Sequence, residues 1–140
     1  MTYLLDTNIL SEVRKPRPGG SVADWWESVS ADDVYLSVLV VGEIRLGIER
    51  LLHRRDRSQA AVFERWLGTL KQDFGNRILP VTTTIAEAWG RLAAPEPLPA
   101  VDGLLAATAL VHGLTLVTRE GRRLEWTGVP LLNPWLDSAG

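Results

Sequence analysis

The chain has 140 residues, of which 46% are hydrophobic, so it is long enough to bury one core and we expect a single domain over residues 1–140. Its formal net charge of −2 provides no overall positive field, so a polyanionic partner would have to bind to local basic patches. The absence of cysteine excludes disulfides and thiolate metal sites, and two histidines are too few for a histidine-rich zinc site; a bound metal would therefore have oxygen ligands.

The hydrophobic pattern predicts five short strands that alternate with five helices. Short apolar runs bounded by polar turns predict strands at residues 3–5, 34–36, 78–81, 115–117 and 129–132. Helical spacing predicts helices at residues 21–29, 38–52, 59–74, 84–93 and 99–112, with Gly75 and Gly113 as C-terminal caps. This alternation favours an α/β fold with three α/β/α layers around a central, mostly parallel sheet of about five strands.

Two segments rich in proline or glycine are predicted loops. They cover residues 15–20 and 94–99, and neither is long enough to be a clear domain linker. The first residues show no signal-peptide pattern, and no apolar run approaches the roughly 18 residues of a spanning helix. We therefore expect a cytoplasmic protein without membrane contact.

Asp6 directly follows the first predicted strand, within the segment YLLDTNILSE. The ligand crevice of a parallel sheet lies outside the carboxyl ends of its strands, so a carboxylate there is well placed to act. Asp, Thr and Asn are also common helix caps. The alternative is that Asp6, Thr7 and Asn8 form only a strand-to-helix turn, and on this segment alone capping is the better interpretation.

Glu43 lies on a largely apolar face of the helix predicted at residues 38–52. A carboxylate in such surroundings is costly unless it is paired or bound to a cation. The alternative is that Glu43 lies at the edge of the apolar stripe and meets Arg45, Arg50 or solvent.

Two further acids occupy comparable positions. Asp102 lies in the first turn of the last predicted helix, where a negative charge also complements the helix dipole. Glu120 follows the strand at residues 115–117, much as Asp6 follows the first strand, although with three arginines nearby it can equally be a surface ion-pair residue. Four acids at one sheet edge would repel one another without a counter-ion. We therefore predict a hard divalent cation, Mg²⁺ or Mn²⁺, of the kind that supports phosphodiester hydrolysis.

Five fragments in chain order resemble the PIN-domain family, specifically the VapC-type and FitB-like toxins of bacterial toxin–antitoxin pairs. They are LLDTNILSE, LSVLVVGEIRLGIERL, ILPVTTTIAEAWGRL, VDGLLAATALVHGLTLVTRE and TGVPLLNPW. The resemblance implies a catalytic and metal-binding acidic cluster at Asp6, Glu43 and Asp102. It also implies supporting polar residues at Asn8, Ser37 and Thr118.

The sequence departs from the commonest family pattern at the fourth acid. Many relatives read Thr-Arg-Asn-x-x-Asp-Phe, which would place the acid where this chain has Arg123. Others read Thr-Arg-Asp-x-x-Leu, and TREGRRL fits that form with glutamate for aspartate. Glu120 is therefore predicted as the fourth catalytic acid; without it, the site is a triad and a second metal position is in doubt.

The resemblance implies a metal-dependent endoribonuclease that is held inactive by an antitoxin, whose carboxyl-terminal segment lies beside the acids. It also implies a homodimer, with Trp89 or Trp135 as candidate interface residues, and a DNA-binding antitoxin. An alternative function follows from the altered fourth acid: a catalytically weak protein that acts chiefly as the partner of that antitoxin at its promoter.

Basic and aromatic residues give secondary predictions. Residues 45–57 contain five arginines and two acids, an excess of +3 that can bind RNA phosphates or simply form a solvated helix end. Arg119, Arg122 and Arg123 beside Glu120 are predicted phosphate contacts. Phe63 and Trp66 share a helix face predicted to serve as packing or antitoxin-groove surface.

Overall fold

The computed structural model describes residues 1–136, which form a five-stranded sheet with helices packed against it. The strands are β1 (Tyr3–Leu5), β2 (Val34–Ser37), β3 (Ile78–Leu79), β4 (Thr115–Val117) and β5 (Leu131–Leu132). Their order across the sheet is β3-β2-β1-β4-β5, and every neighbouring pair is parallel. The predicted three-layer α/β/α architecture with a parallel central sheet is confirmed.

Residues 1–136 contain six α-helices and three 3₁₀ segments. The helices are α1 (Thr7–Val13), α2 (Gly20–Ser28), α3 (Val38–His53), α4 (Arg57–Phe74), α5 (Thr83–Ala93) and α6 (Ala100–His112). The 3₁₀ segments are Ala31–Asp33, Gly75–Arg77 and Gly121–Thr127. Gly113 ends α6 in the left-handed region at φ 67°, as its predicted cap position requires.

The structure shortens two predicted strands and adds helical segments. The strand predicted at 78–81 ends at Leu79, because Pro80 has no N–H to donate to a ladder. The strand predicted at 129–132 begins only after Pro130. Helix α1 and the 3₁₀ segment Gly121–Thr127 span only seven residues each, too few for a clear helical period.

The core is built from the strands and the helix faces that cover them. Leu4, Leu5, Leu36 and Val117 are fully buried, so the central strands are covered on both faces. Small buried residues on α6, including Ala106, allow this helix to approach the sheet closely. Within residues 1–136, no helix combines the length and the apolar character that crossing a membrane requires.

The strand order places a crevice between β1 and β4. The chain leaves β1 toward β2 and β3 on one side, and returns to add β4 and β5 on the other. The carboxyl ends of β1 and β4 therefore lie side by side at the point where the winding direction reverses, which is where open α/β sheets bind ligands. Asp6 follows β1, and its N–H donates to the Val117 carbonyl of β4 at 3.2 Å.

Candidate acidic site at the sheet edge

Asp6 is a buried carboxylate at this reversal point. Its residue is only 9% exposed, and its Oδ1 accepts the Ile9 N–H at 3.1 Å, so it caps α1. Burial raises the pKa of Asp6; hydrogen bonds from the Thr118 side chain and from the Ile9 and Asn8 N–H groups oppose that rise, and the charge of Glu43 adds to it. The capping interpretation is therefore confirmed for Asp6, and its role at the predicted crevice stays a prediction, now made for a poorly solvated acid.

Glu43 turns toward Asp6. Its Oε1 accepts the Thr7 hydroxyl at 2.5 Å, and Thr7 is the first residue of α1. Glu43 is exposed, so the alternative in which it lies at the edge of the apolar stripe and meets solvent holds. Its pairing with Arg45 does not occur, because both Arg45 guanidinium Nη atoms bind Glu64 on α4, at 2.8 and 2.7 Å. Asp6 and Glu43 therefore form a like-charged pair whose members are oriented by neighbouring residues of α1.

Asp102 and Glu120 are connected through an arginine. Nη2 of Arg123 lies 3.3 Å from Oδ2 of Asp102, in the first turn of α6, and 3.9 Å from Oε2 of Glu120. The side chains of Asp102 and Glu120 are 31% and 58% exposed. Arg123 stands where the commonest family pattern has its fourth acid. At this position the chain therefore has a cation, which pairs with the acids around it.

The structure places the four predicted acids in two pairs, Asp6 with Glu43 and Asp102 with Glu120, and does not bring Asp6, Glu43 and Asp102 into the one cluster that the resemblance implies. Within residues 1–136, no three histidine or acidic side chains converge closely enough to hold a metal ion together. Mg²⁺ commonly uses one or two carboxylates, with waters and substrate phosphates completing its shell. Asp6 and Glu43, two hard oxygen donors of like charge, fit such an ion, whereas Asp102 would have to leave Arg123 before acting as a ligand.

The three supporting polar residues occupy different surroundings. Thr118 is 4% exposed. Its side chain forms the hydrogen bond that opposes the rise in the pKa of Asp6, and its Oγ1 accepts the Glu120 N–H at 3.1 Å. Ser37 is fully buried and caps α3 by accepting the Leu39 N–H at 3.0 Å. Asn8 is exposed at the rim of a pocket that also contains Glu120. Thr118 thus contacts the acidic site, while the contact seen for Ser37 is a helix cap.

The three arginines predicted to contact phosphate have separate neighbours. The Arg119 guanidinium lies 4.8 Å from the centre of the Trp135 ring, a cation–π contact. Arg122 is exposed and lines the pocket that contains Glu120 and Asn133. Arg123 is the partner of Asp102 and Glu120. All three remain on the same connection after β4.

Sequence reasoning missed Glu12 as a member of this edge. The Glu12 side chain is only 14% exposed, and its carboxylate accepts the Lys15 ammonium at 3.2 Å and the Gly19 N–H at 3.3 Å. These contacts, that from Lys15 above all, lower the pKa of Glu12. Glu12 lines a cavity of about 340 Å³ with Asn8 and Glu120. The signal in the sequence was the four-residue spacing between Asn8 and Glu12, because residues four apart share a helix face.

A second cavity of about 310 Å³ lies between α1, α3 and α4. Thr7 and Glu43 line it together with the aromatic side chains of Phe63 and Trp66. The guanidinium of Arg14 lies 4.3 Å from the Phe63 ring centre and 5.3 Å from that of Trp66. The aromatic face predicted at Phe63 and Trp66 therefore both packs against the core and forms one wall of a groove that reaches Glu43.

Comparisons with known proteins agree with this fold. A family model described as PIN domain matches residues 3–126. Toxin FitB of Neisseria gonorrhoeae is 35% identical over 139 residues, covering 96% of this chain and 99% of the relative. VapC ribonuclease Y4jK of Sinorhizobium fredii is 30% identical over 138 residues, covering 94% and 96%. A solved structure of FitAB bound to an IR36 DNA fragment superposes with a TM-score of 0.83 at 34% identity, covering 96% of both chains.

Proposed function

The chain belongs to the PIN-domain family, and on that premise we propose that it is the toxin of a type II toxin–antitoxin pair and acts as a Mg²⁺-dependent endoribonuclease. The observation that carries this proposal is the buried Asp6 carboxylate beside Glu43 at the reversal point of the sheet. The names of the relatives, a toxin and a ribonuclease, support the same activity.

Asp6 and Glu43 would hold Mg²⁺ or Mn²⁺, and Asp102 would join them once released from Arg123. The bound ion would lower the pKa of a water molecule and neutralise charge that develops on the scissile phosphate. The chain's own contribution is orientation. Thr118 and the Ile9 N–H fix the carboxylate of Asp6, and the Thr7 hydroxyl fixes that of Glu43. Glu120, at the rim, is the fourth proposed catalytic acid.

RNA is the proposed substrate, and its phosphates would meet the basic connection after β4. Arg119, Arg122 and Arg123 lie there beside Glu120. Guanidinium groups bind phosphate oxygens in a bidentate way, so this short segment can offset the net negative charge of the chain locally. The arginines of residues 45–57 provide a second basic region on and after α3.

The proposed partner is an antitoxin whose carboxyl-terminal segment occupies the groove of Phe63, Trp66 and Glu43. This groove has an apolar wall and one acidic end, so it fits a segment with apolar side chains and an arginine. We also propose a homodimer and a cytoplasmic location. Trp89 and Trp135 each make intrachain contacts, with Gly103 and Arg119 respectively, and remain candidates for the dimer interface.

The test is cleavage of RNA by the purified protein with Mg²⁺ or Mn²⁺, compared with EDTA. We expect EDTA to abolish cleavage and Asp6→Asn to reduce it by at least about 100-fold, because the variant loses a charged ligand. Asp32→Asn is the matched control, since Asp32 is exposed just before β2, away from the carboxyl ends of the strands. Equal cleavage by wild type and Asp6→Asn would contradict the proposal.

A second candidate function is favoured by the pairing of Arg123 with Asp102. In this alternative, hydrolysis is weak, and the protein acts chiefly as the partner of a DNA-binding antitoxin at its promoter; the DNA-bound FitAB structure supports such an assembly. A gel-shift measurement with promoter DNA, made on the antitoxin complex alongside the cleavage assay, separates the two. Promoter binding without metal-dependent cleavage would favour the alternative.

A further inference from the structure

The ion pair between Arg123 and Asp102 is a feature of the acidic site that phosphate contact alone does not explain. Nη2 of Arg123 lies 3.3 Å from Asp102, which would be a metal ligand, and 3.9 Å from Glu120. A carboxylate that is bound to a guanidinium is less available to a cation, because the two positive charges compete for the same oxygens. The site as it stands therefore contains an internal competitor for Mg²⁺.

The backbone beneath Arg123 is well anchored, whereas its side chain is accessible. Leu124 is 3% exposed in the core, and the Thr127 hydroxyl donates to its carbonyl at 2.5 Å. The Arg123 side chain, in contrast, is 53% exposed. A half-exposed pair of this kind is weak and shifts an equilibrium by about fivefold at most. Arg123 can therefore exchange partners without any change in the fold.

We propose that Arg123 is an internal counter-ion that occupies Asp102 until an RNA phosphate takes over the guanidinium, so that substrate binding releases Asp102 to the metal. This inference rests on the proposed function and adds a coupling between RNA binding and metal binding at the same site. Phosphate is the appropriate competitor, since it carries a full negative charge and accepts the guanidinium fork in a bidentate way. Such coupling is reciprocal: the metal must also strengthen RNA binding.

The first test is Mn²⁺ affinity without RNA, measured by isothermal titration and by the EPR signal of free Mn²⁺. Arg123→Gln should bind Mn²⁺ about two- to fivefold more tightly than wild type. Arg122→Gln removes the same charge one residue away, from a side chain that lines the neighbouring pocket. It should change the affinity distinctly less. Equal shifts in the two variants would mean that only the general field of the protein matters, and would overturn the proposal.

The second test asks whether Arg123 acts through Asp102. In an Asp102→Asn background, Arg123→Gln should no longer tighten Mn²⁺ binding, because the carboxylate that it would release is absent. Circular dichroism of each variant verifies folding, and Arg123→Lys, which keeps the charge, should remain closer to wild type. An undiminished effect of Arg123→Gln in the Asp102→Asn background would overturn the proposal.

The third test measures the coupling with a 2′-O-methyl RNA oligonucleotide that resists cleavage. It should raise Mn²⁺ affinity more in wild type than in Arg123→Gln, since only wild type has an ion pair to exchange. An equal rise in both would overturn the proposal. The proposed function is judged separately, by cleavage with Mg²⁺ against EDTA and Asp6→Asn. If the wild type cleaves RNA but the Mn²⁺ affinity rises equally in wild type and Arg123→Gln, the proposed coupling is wrong and the proposed nuclease activity stands.

Discussion

At the scale of single residues, Asp6 shows how a proposed functional position can cost stability. Its carboxylate is 9% exposed, and burial together with the charge of Glu43 raises its pKa above the usual value of 3.8. A raised pKa means that the folded state binds this proton more tightly than the unfolded state does, so ionised Asp6 opposes folding at neutral pH. Sites built for chemistry commonly hold such destabilising groups.

We therefore expect Asp6→Asn to raise the melting temperature at pH 7 by several degrees, although the same variant should lose most of its cleavage activity. Asparagine can still accept the Ile9 N–H and cap α1, so the variant loses the buried charge without losing the cap. Thermal unfolding of both proteins, followed by circular dichroism in EDTA, measures the effect.

The pH dependence supplies the control for this prediction. As pH falls through the raised pKa of Asp6, the wild type takes up the proton and regains stability, so the advantage of Asp6→Asn should shrink toward pH 4. Glu12 and Glu64 have lowered pKa values, so their contributions to stability are lost as pH falls. These contributions are the same in wild type and Asp6→Asn, and they cancel when the two proteins are compared. An advantage that stays constant from pH 7 to pH 4 would contradict this account of Asp6.

At the scale of elements, α5 and α6 form a closely packed helix pair. They can approach so closely because Gly103 has no side chain at the contact with Trp89. A Cβ added at Gly103 would lie 2.7 Å from Cδ1 and 2.9 Å from Nε1 of Trp89, closer than real side chains approach. Among the described residues, Trp89 Nε1 is buried without a hydrogen-bond partner, so the indole is held by packing. Gly103 follows Asp102, and this contact therefore also positions the first turn of α6.

Gly103→Ala should lower the free energy of unfolding by about 1–3 kcal/mol, because the rigid indole must shift to admit the methyl group. Gly68→Ala is the matched control. Gly68 lies within α4 with open space around its Cα, and alanine there should stabilise the helix by up to about 1 kcal/mol. Urea unfolding of both variants gives the comparison. A Gly103→Ala protein as stable as Gly68→Ala would show that α5 and α6 adjust freely.

The sequence predicted most of the elements because their hydrophobic periods are long enough to read. Helices α3, α4 and α6 and the three central strands appear within two residues of their predicted bounds. Helix α1 and the 3₁₀ segment Gly121–Thr127 were not predicted, because short elements carry little periodic signal. The pairing of Arg123 with Asp102 was not predicted for a different reason. It joins α6 to that 3₁₀ segment, and contacts between distant segments depend on tertiary packing, which local spacing does not encode.

At the scale of the whole molecule, the strand order explains how acids that are distant in the sequence can lie near the same edge of the sheet. Asp6 and Glu43 come from the first half of the chain, and Asp102 and Glu120 from the second, yet β1 and β4 are neighbours in the sheet. Parallel strands end at the same edge, so residues that follow them approach one another whatever their separation in sequence. The sequence analysis predicted one cluster of acids at this edge, whereas the folded chain shows two pairs, and the catalytic role of these acids stays a prediction.

A ligand that binds only to this folded edge must stabilise the entire fold. If Asp6 and Glu43 hold a divalent cation, Mn²⁺ at about ten times its dissociation constant should add about 1.4 kcal/mol to the free energy of unfolding, a rise in melting temperature of several degrees. EDTA should reverse that rise, and Glu43→Gln should reduce it. Asp32→Asn, altered at an exposed site before β2, should keep the full wild-type response. The measurement is thermal unfolding across a Mn²⁺ titration, with Ca²⁺ as a comparison ion. A melting temperature that does not respond to Mn²⁺ in wild type, or that responds equally in Glu43→Gln, would exclude Glu43 as a metal ligand.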